Sequence, residues 1–197
     1  LVATGGPVGI AKRVLGYASE NPVLVTGVVI GLLLLAGGGV ALYRYLTRST
    51  VSRLQSLLSG YDTVTVLMHP NPDPDAMSSA LAVDQLATAA GTETELCYPG
   101  EIRRPENRAF ETVLDLEFDH IETVDDITTD SVVLVDHNEP RGFAGAEEIT
   151  PTAVIDHHPG GGTGTDFTDV RTDMGACATI FSDYFQSLEW DFFEVDV

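Results

Sequence analysis

Val64-Thr65-Val66-Leu67-Met68 runs directly into His69-Pro70-Asn71-Pro72-Asp73-Pro74-Asp75-Ala76. The first five residues are apolar or β-branched and read as a buried strand. From Met77 onward the pattern is that of a helix starting near Asp75. One imidazole and two carboxylates therefore sit in a proline-stiffened turn at the carboxyl end of a strand, where open α/β sheets place their ligands. Imidazole with hard carboxylates suits Mn²⁺, Mg²⁺ or a similar divalent ion. Taken alone, the turn reads equally as a polar strand-to-helix connection with Asp75 as N-cap.

Two later stretches repeat the arrangement. Val132-Val133-Leu134-Val135 ends on Asp136-His137-Asn138, and Ala153-Val154-Ile155 ends on Asp156-His157-His158-Pro159-Gly160. Of the five histidines in the chain, four lie in these three strand-end clusters, and His120 alone lies outside. Carboxylates crowded at one sheet edge repel each other. A pair of divalent cations removes that cost, and a shared carboxylate bridges two metals about 3.5–4 Å apart. Such ions also reverse the local sign, so that an acidic protein can accept an anionic substrate.

Around these clusters, strands are expected at 63–69, 92–98, 119–124, 131–135 and 152–156, and helices at 75–90, 105–115 and 175–188. The alternation predicts an α/β domain with a mostly parallel sheet and flanking helices. Cys97 and Cys177 are too few for a disulfide framework and read as small buried hydrophobes in a reducing compartment.

Charge divides the 197-residue chain. Residues 1–59 hold five basic residues against one acid, net +4, and residues 60–197 hold five Arg and no Lys against 29 acids, net −24. A domain of that sign repels duplex nucleic acid. It suits a very salty cytoplasm, where screening is nearly complete and a carboxylate-covered surface stays soluble. Residues 23–43 carry no charge, and about 20 such residues cross a bilayer core. Tyr43 and Tyr45 would lie in the interface, with Arg44, Arg48 and Arg53 just beyond, which places the following domain in the cytoplasm. The expected organisation is an upstream segment or interfacial helix (1–22, with Lys12 and Arg13), a transmembrane helix in lipid (23–46), a juxtamembrane helix (47–60) and the α/β domain (61–197). Gly27 and Gly31 form a GxxxG spacing that would allow a homodimer, although glycines simply tolerated in a membrane helix explain it as well.

The three clusters resemble motifs I, II and III of the DHH phosphoesterase superfamily, over roughly residues 62–190. That family includes pyrophosphatases, RecJ-type nucleases, oligoribonucleases that also act on 3′-phosphoadenosine 5′-phosphate, and cyclic-dinucleotide phosphodiesterases. The resemblance implies two Mn²⁺ ions, with Mg²⁺ or Co²⁺ as substitutes. It assigns one ion to His69, Asp73 and Asp136, and the other to Asp75, Asp136 and His157. Asp136 would be the catalytic bridge and His158 would face the substrate phosphate. Asp156 would orient the neighbouring histidines, with His137 and Asn138 packing or supporting behind them.

On this resemblance the chain is a membrane-anchored phosphodiesterase acting on a small nucleotide, a cyclic dinucleotide such as c-di-AMP or its linear product. A nanoRNase or phosphoadenosine phosphatase is the rival enzyme, and a nucleotide-sensing module the non-catalytic rival. Arg141 and Arg171, close behind motifs II and III, are candidates for substrate phosphate, as is Asp173 for the site; surface pairing, and a plain helix start, are the alternatives. Gly160-Gly161-Gly162-Thr163-Gly164 reads as a flexible lid or connector rather than a phosphate cradle, because no P-loop lysine follows. Two departures stand out. The family's Pro-Asp-Gly-Asp-Ala is Pro72-Asp73-Pro74-Asp75-Ala76 here, which pushes Asp73 toward extended backbone. The chain also begins with Leu1 and stops before the family's later metal-binding Asp and its DHHA1 domain, so it reads as a piece of something longer.

Overall fold

Parallel strands need crossover connections of about a dozen residues, commonly helical, and the helical stretches between the first strands of this chain supply them. The computed structural model describes residues 9, 15–17, 19–46 and 48–188. It divides into two units, residues 1–48 and 49–197. In the first, α1 spans Pro22–Leu46, 25 residues. At 1.5 Å rise it measures about 37 Å, and it is long and apolar enough to cross a membrane by length and composition. Its leucines at 32–35 are 61–75% exposed. Lys12, Arg13 and most of the short helix expected upstream lie outside the described residues.

The second unit carries α2 (Thr50–Leu58), β1 (Thr63–Leu67), α3 (Pro74–Ala90), β2 (Glu93–Pro99), α4 (Pro105–Val113), β3 (Asp119–Ile121), β4 (Val132–Val135), β5 (Ala153–Asp156), β6 (Phe167–Val170) and α5 (Cys177–Ser187). All strands are parallel, in the order β3-β2-β1-β4-β5-β6. This is a doubly wound order, and its switch point falls between β1 and β4.

Alternation along the central strands divides the core. Val64, Val66, Val133, Val135, Ala153 and Ile155 point to the face covered by α2, α3 and α5, where they meet Leu54, Met77, Val83, Leu86, Ile180 and Phe181. Leu67, Val132, Leu134 and Val154 point to the other face, beneath Ile127, Phe143 and Ile149. Helix α3 starts on Asp73, whose Oδ1 accepts the backbone N–H of Asp75 and Ala76, with Pro74 in the first turn. Its end is the left-handed Gly91, φ 82°, a conformation that costs a glycine nothing.

Helix α2 is capped by the Ser49 hydroxyl. Its Val51, Leu54 and Leu58 are wholly buried in the core. Leu54→Ala should therefore lower the domain's unfolding free energy by about 2–5 kcal/mol, read from urea denaturation; a change within error would show that α2 is dispensable to the fold. Strand β6 has no clear mark in the sequence. Only Phe167 of its four residues is buried, so it lacks the continuous apolar run that marks its neighbours.

Candidate metal centre

The three clusters meet at the carboxyl edge of the sheet. His69 lies just past β1, Asp136 follows β4 directly and His157 follows β5, so the site straddles the switch point. Asp136 adopts a left-handed backbone, φ 61°, as does Asn71, φ 59°. Asp and Asn enter this region more readily than other side-chain-bearing residues. In Asp136 the bend accompanies an N–H bond to the Ile155 carbonyl, 3.0 Å, that extends the ladder by one residue.

Asp136 is the hub. Its Oδ2 lies 3.3 Å from His69 Nε2, and its Oδ1 lies 3.3 Å from His157 Nε2. Asp75 Oδ2 lies 3.6 Å from the same His157 nitrogen. Ligand atoms of His69, Asp73 and Asp136 fall within 4.8 Å of one another, and so do those of Asp136, His157 and His158.

The other ring nitrogens decide what these contacts mean. His69 Nδ1 bonds the Pro70 carbonyl at 3.0 Å, and His157 Nδ1 bonds the Met174 carbonyl at 3.2 Å. A carbonyl only accepts, so each Nδ1 carries the proton. In the neutral rings both Nε2 lone pairs then face carboxylate oxygens of Asp136. That arrangement is repulsive unless a cation or a second proton lies between. Asp136 is 3% exposed, and its Oδ1 has no hydrogen-bond partner among the described residues. A buried acceptor left in this way is costly. Oxygen and imidazole donors facing inward around an unpartnered carboxylate oxygen fit a divalent metal centre.

His158 also approaches Asp136, with Nδ1 3.7 Å from Oδ1. That nitrogen is committed elsewhere, however, bonding Asp156 Oδ1 at 2.9 Å. The ring is half-exposed, which leaves Nε2 available to a ligand. Asp75 Oδ2, 3.6 Å from His157 Nε2, stands beside the same group. Asp156 is fully buried and spends its oxygens on orientation. Oδ1 accepts the backbone N–H groups of His157 and His158, and Oδ2 accepts Asn138 Nδ2 at 2.7 Å. His137 is buried behind the site. Burial pushes its pKa down to about 4, so the ring is neutral and donates Nδ1–H to the Val135 carbonyl.

Several supports have no side-chain signal in sequence. Asp75 Oδ2 and Oδ1 accept the backbone N–H groups of Cys177 and Ala178, each at 2.8 Å. Asp75 thus caps α5 from 102 residues away, where Ala176 has no capping side chain. Buried Asn107 donates to the Pro72 carbonyl, 2.9 Å, and Arg103 N–H to Asn71 Oδ1, 2.7 Å, so the 102–107 segment clamps the first loop.

Other candidates fall elsewhere. Arg171 does not face the site. Its guanidinium pairs with Asp169 and Asp183 at 2.8–2.9 Å and lies over Tyr184, because β6 and α5 bring two carboxylates to it. Asp173 is exposed, and its loop serves the site through the Met174 carbonyl instead. The glycine-rich loop is no open lid at its start, since a Cβ at Gly160 or Gly162 would overlap Asn138. Cys97 and Cys177 are buried free thiols, both pushed up to about 12 by burial. Arg141 and Gly175 line the cavity over the grouped side chains.

Burial lowers the His69 pKa, but its bonds to Asp136 and the Pro70 carbonyl outweigh that, and the net shift is upward. Burial, reinforced by Asp75, raises Asp136 despite its bond to His69. A group whose folded pKa is raised stabilises the fold at low pH, and that stability is lost as pH rises through the folded value. Metal binding runs the other way, since it requires the His69 proton to leave. The gain in melting temperature from saturating Mn²⁺ should therefore grow between about pH 5.5 and 8. A gain that is flat or falls with pH would contradict the assignment of His69.

A doubly wound sheet with histidines and carboxylates gathered at its switch point defines an α/β domain built to hold metal. The particular family follows from comparison: residues 63–195 match the N-terminal domain of the DHH family, and the chain belongs to that family. An uncharacterized protein from Methanocaldococcus jannaschii, MJ1633, is 31% identical over 124 residues, covering 63% of this chain and 26% of that protein. Probable manganese-dependent inorganic pyrophosphatases from an Exiguobacterium species and from Lactiplantibacillus plantarum are 37% and 33% identical, covering 49% and 61% of this chain. The chain spans only 26–40% of the length of these relatives. The crystal structure of an exopolyphosphatase-related protein from Bacteroides fragilis shares the fold, with TM-score 0.50 and 13% identity, covering 72% of this chain and 44% of that one.

Proposed function

We propose that this chain is the DHH domain and membrane anchor of a metal-dependent phosphodiesterase that hydrolyses a small nucleotide, a cyclic dinucleotide such as c-di-AMP or its linear product. The observation that carries the hydrolytic reading is the pair of imidazole Nε2 atoms held by backbone bonds on their far nitrogens against Asp136, whose Oδ1 has no hydrogen-bond partner among the described residues. His69, Asp73 and Asp136 would hold one Mn²⁺, and Asp75, Asp136 and His157 the other. Such ions supply Lewis acidity to the phosphoryl oxygens and an acidified water.

The chain's own residues do the rest. Asp136 sets the spacing of the two groups. Asp156 fixes His157 and His158 and holds the Nδ1 proton of His158, so that Nε2 faces the substrate and donates to a phosphoryl oxygen when the ring carries both protons. Among the described residues lining the cavity there is no Ser, Thr or Cys to act as a covalent nucleophile, and Cys177 is too buried and too weakly acidic to serve. α1 would lie in lipid as a single span, with the DHH domain on the cytoplasmic side of Arg48 and Arg53. The domain's charge suits concentrated salt.

A second reading has its own support: several of the relatives, the two described above among them, are named probable manganese-dependent inorganic pyrophosphatases, which makes pyrophosphate the competing substrate. One assay separates them. The full chain, purified in detergent and loaded with Mn²⁺, is offered c-di-AMP, pApA, 3′-phosphoadenosine 5′-phosphate and pyrophosphate, with release of products followed by chromatography. Preference for c-di-AMP or pApA supports the proposal. Preference for pyrophosphate replaces it with the second reading, and preference for the phosphoadenosine compound with a phosphatase. Turnover of none, with metal bound, would favour a nucleotide-sensing module.

A further inference from the structure

Of the five arginines in residues 60–197, only Arg141 lines the cavity over the metal-binding groups. Three of the others are engaged. Arg171 is held by Asp169 and Asp183, Arg103 pairs with Glu101 at 3.7 Å, and Arg108 donates to the Ile102 and Arg103 carbonyls. Arg104 is exposed just before α4, outside the cavity. Arg141 is exposed too, and no hydrogen bond or ion pair ties it down among the described residues. An unpaired guanidinium is unexpected beside a pocket that contains Asp73, Asp75 and Asp136, in a domain where acids outnumber bases by 29 to 5.

Its backbone is nonetheless fixed. Gly142 has φ 91° and packs so closely on Pro70 that a Cβ there would overlap the ring. Pro70 is the residue next to His69, so the loop carrying Arg141 is seated directly on the loop carrying the first metal-binding group. The rim position of Arg141 is thus set by the same packing that places His69, and its fork remains open to a ligand.

We infer that Arg141 is a specificity-determining residue that binds a second phosphate of the substrate, one that is not attacked. This rests on the phosphoesterase reading above and names what it selects: compounds with two phosphate groups, whether joined as an anhydride or set apart in a dinucleotide. Two divalent ions over three carboxylates leave little excess positive charge for a further phosphate. A guanidinium supplies that charge with two parallel donors. Lysine carries the charge but not the fork.

The test is binding to the Mn²⁺-loaded full chain, measured by calorimetry with methylenediphosphonate and with methylphosphonate, for the unaltered protein, Arg141→Ala and Arg141→Lys. Arg141→Ala should weaken methylenediphosphonate about ten- to a hundredfold and methylphosphonate far less, with Arg141→Lys between. In turnover, Arg141→Ala should raise KM for c-di-AMP or pyrophosphate by a similar factor while kcat changes little. Arg141 is exposed, so an unchanged thermal melt is expected to accompany these effects. Equal losses for both phosphonates, or none, would overturn the assignment. Selective loss of diphosphonate binding in a protein that turns over no phosphoester would sustain Arg141 while sinking the enzymatic reading.

Discussion

Asp136→Asn should leave a folded domain that binds Mn²⁺ weakly or not at all and hydrolyses its substrate at least about a thousandfold more slowly. Both groups of metal-binding side chains converge on this one carboxylate, with His69 on Oδ2 and His157 on Oδ1. Removing its charge therefore disables both at once. Asn is the right probe because position 136 has φ 61°, which Asn tolerates and Ala does not. In the metal-free protein the substitution should cost no stability, and urea midpoints should be equal or higher. The buried charge it removes is one that burial and the neighbouring Asp75 already disfavour. A variant that lost stability without metal would mean that Asp136 is chiefly a structural anchor. One that kept metal affinity would move the centre elsewhere.

The second large effect belongs to Asp75. Asp75→Ala should lower metal affinity and activity about a hundredfold or more. It should also, unlike Asp136→Asn, destabilise the metal-free fold by about 1–2 kcal/mol, read from urea denaturation. The reason is the capping of α5 by its carboxylate through the N–H groups of Cys177 and Ala178. Relief of repulsion with Asp136 offsets part of that loss. Asp75→Asn should recover little, because its amide group would turn one N–H donor toward another. If Asp75→Ala left stability unchanged while removing activity, the tie to α5 would be energetically idle.

What could be read from sequence follows from these residues. The three clusters were legible because each ends a run of buried apolar residues with acids and histidines. Buried strands cannot carry such groups internally, and at their ends they can. The family resemblance rested on the same stretches and agrees with the match over residues 63–195. The ends of the helices were legible only in part. Asp73, not Asp75, caps α3, and the Pro74 that follows it was the available signal, since proline is favoured in the first helical turn.

The rest was hidden for physical reasons. The bonds from Cys177 and Ala178 to Asp75 come from main-chain N–H groups, which every residue but proline possesses, so no side chain announces them. Surface pairing was one of two readings for Arg171, and sequence could not choose it because Asp169, its partner, sits in the half-exposed strand β6, whose four residues carry no clear pattern. Asn107 offered no cue, as its target is the Pro72 carbonyl. The tightness of Gly142 against Pro70 depends on the crossing of two loops distant in the chain.

The most direct test of the account is a crystal structure of the Mn²⁺-loaded protein with anomalous scattering recorded at the manganese edge. The account predicts two anomalous peaks, one among His69, Asp73 and Asp136 and the other among Asp75, Asp136 and His157, with the Asp136 carboxylate touching both. A single ion clear of Asp136, or manganese bound only at the acidic surface, would contradict it.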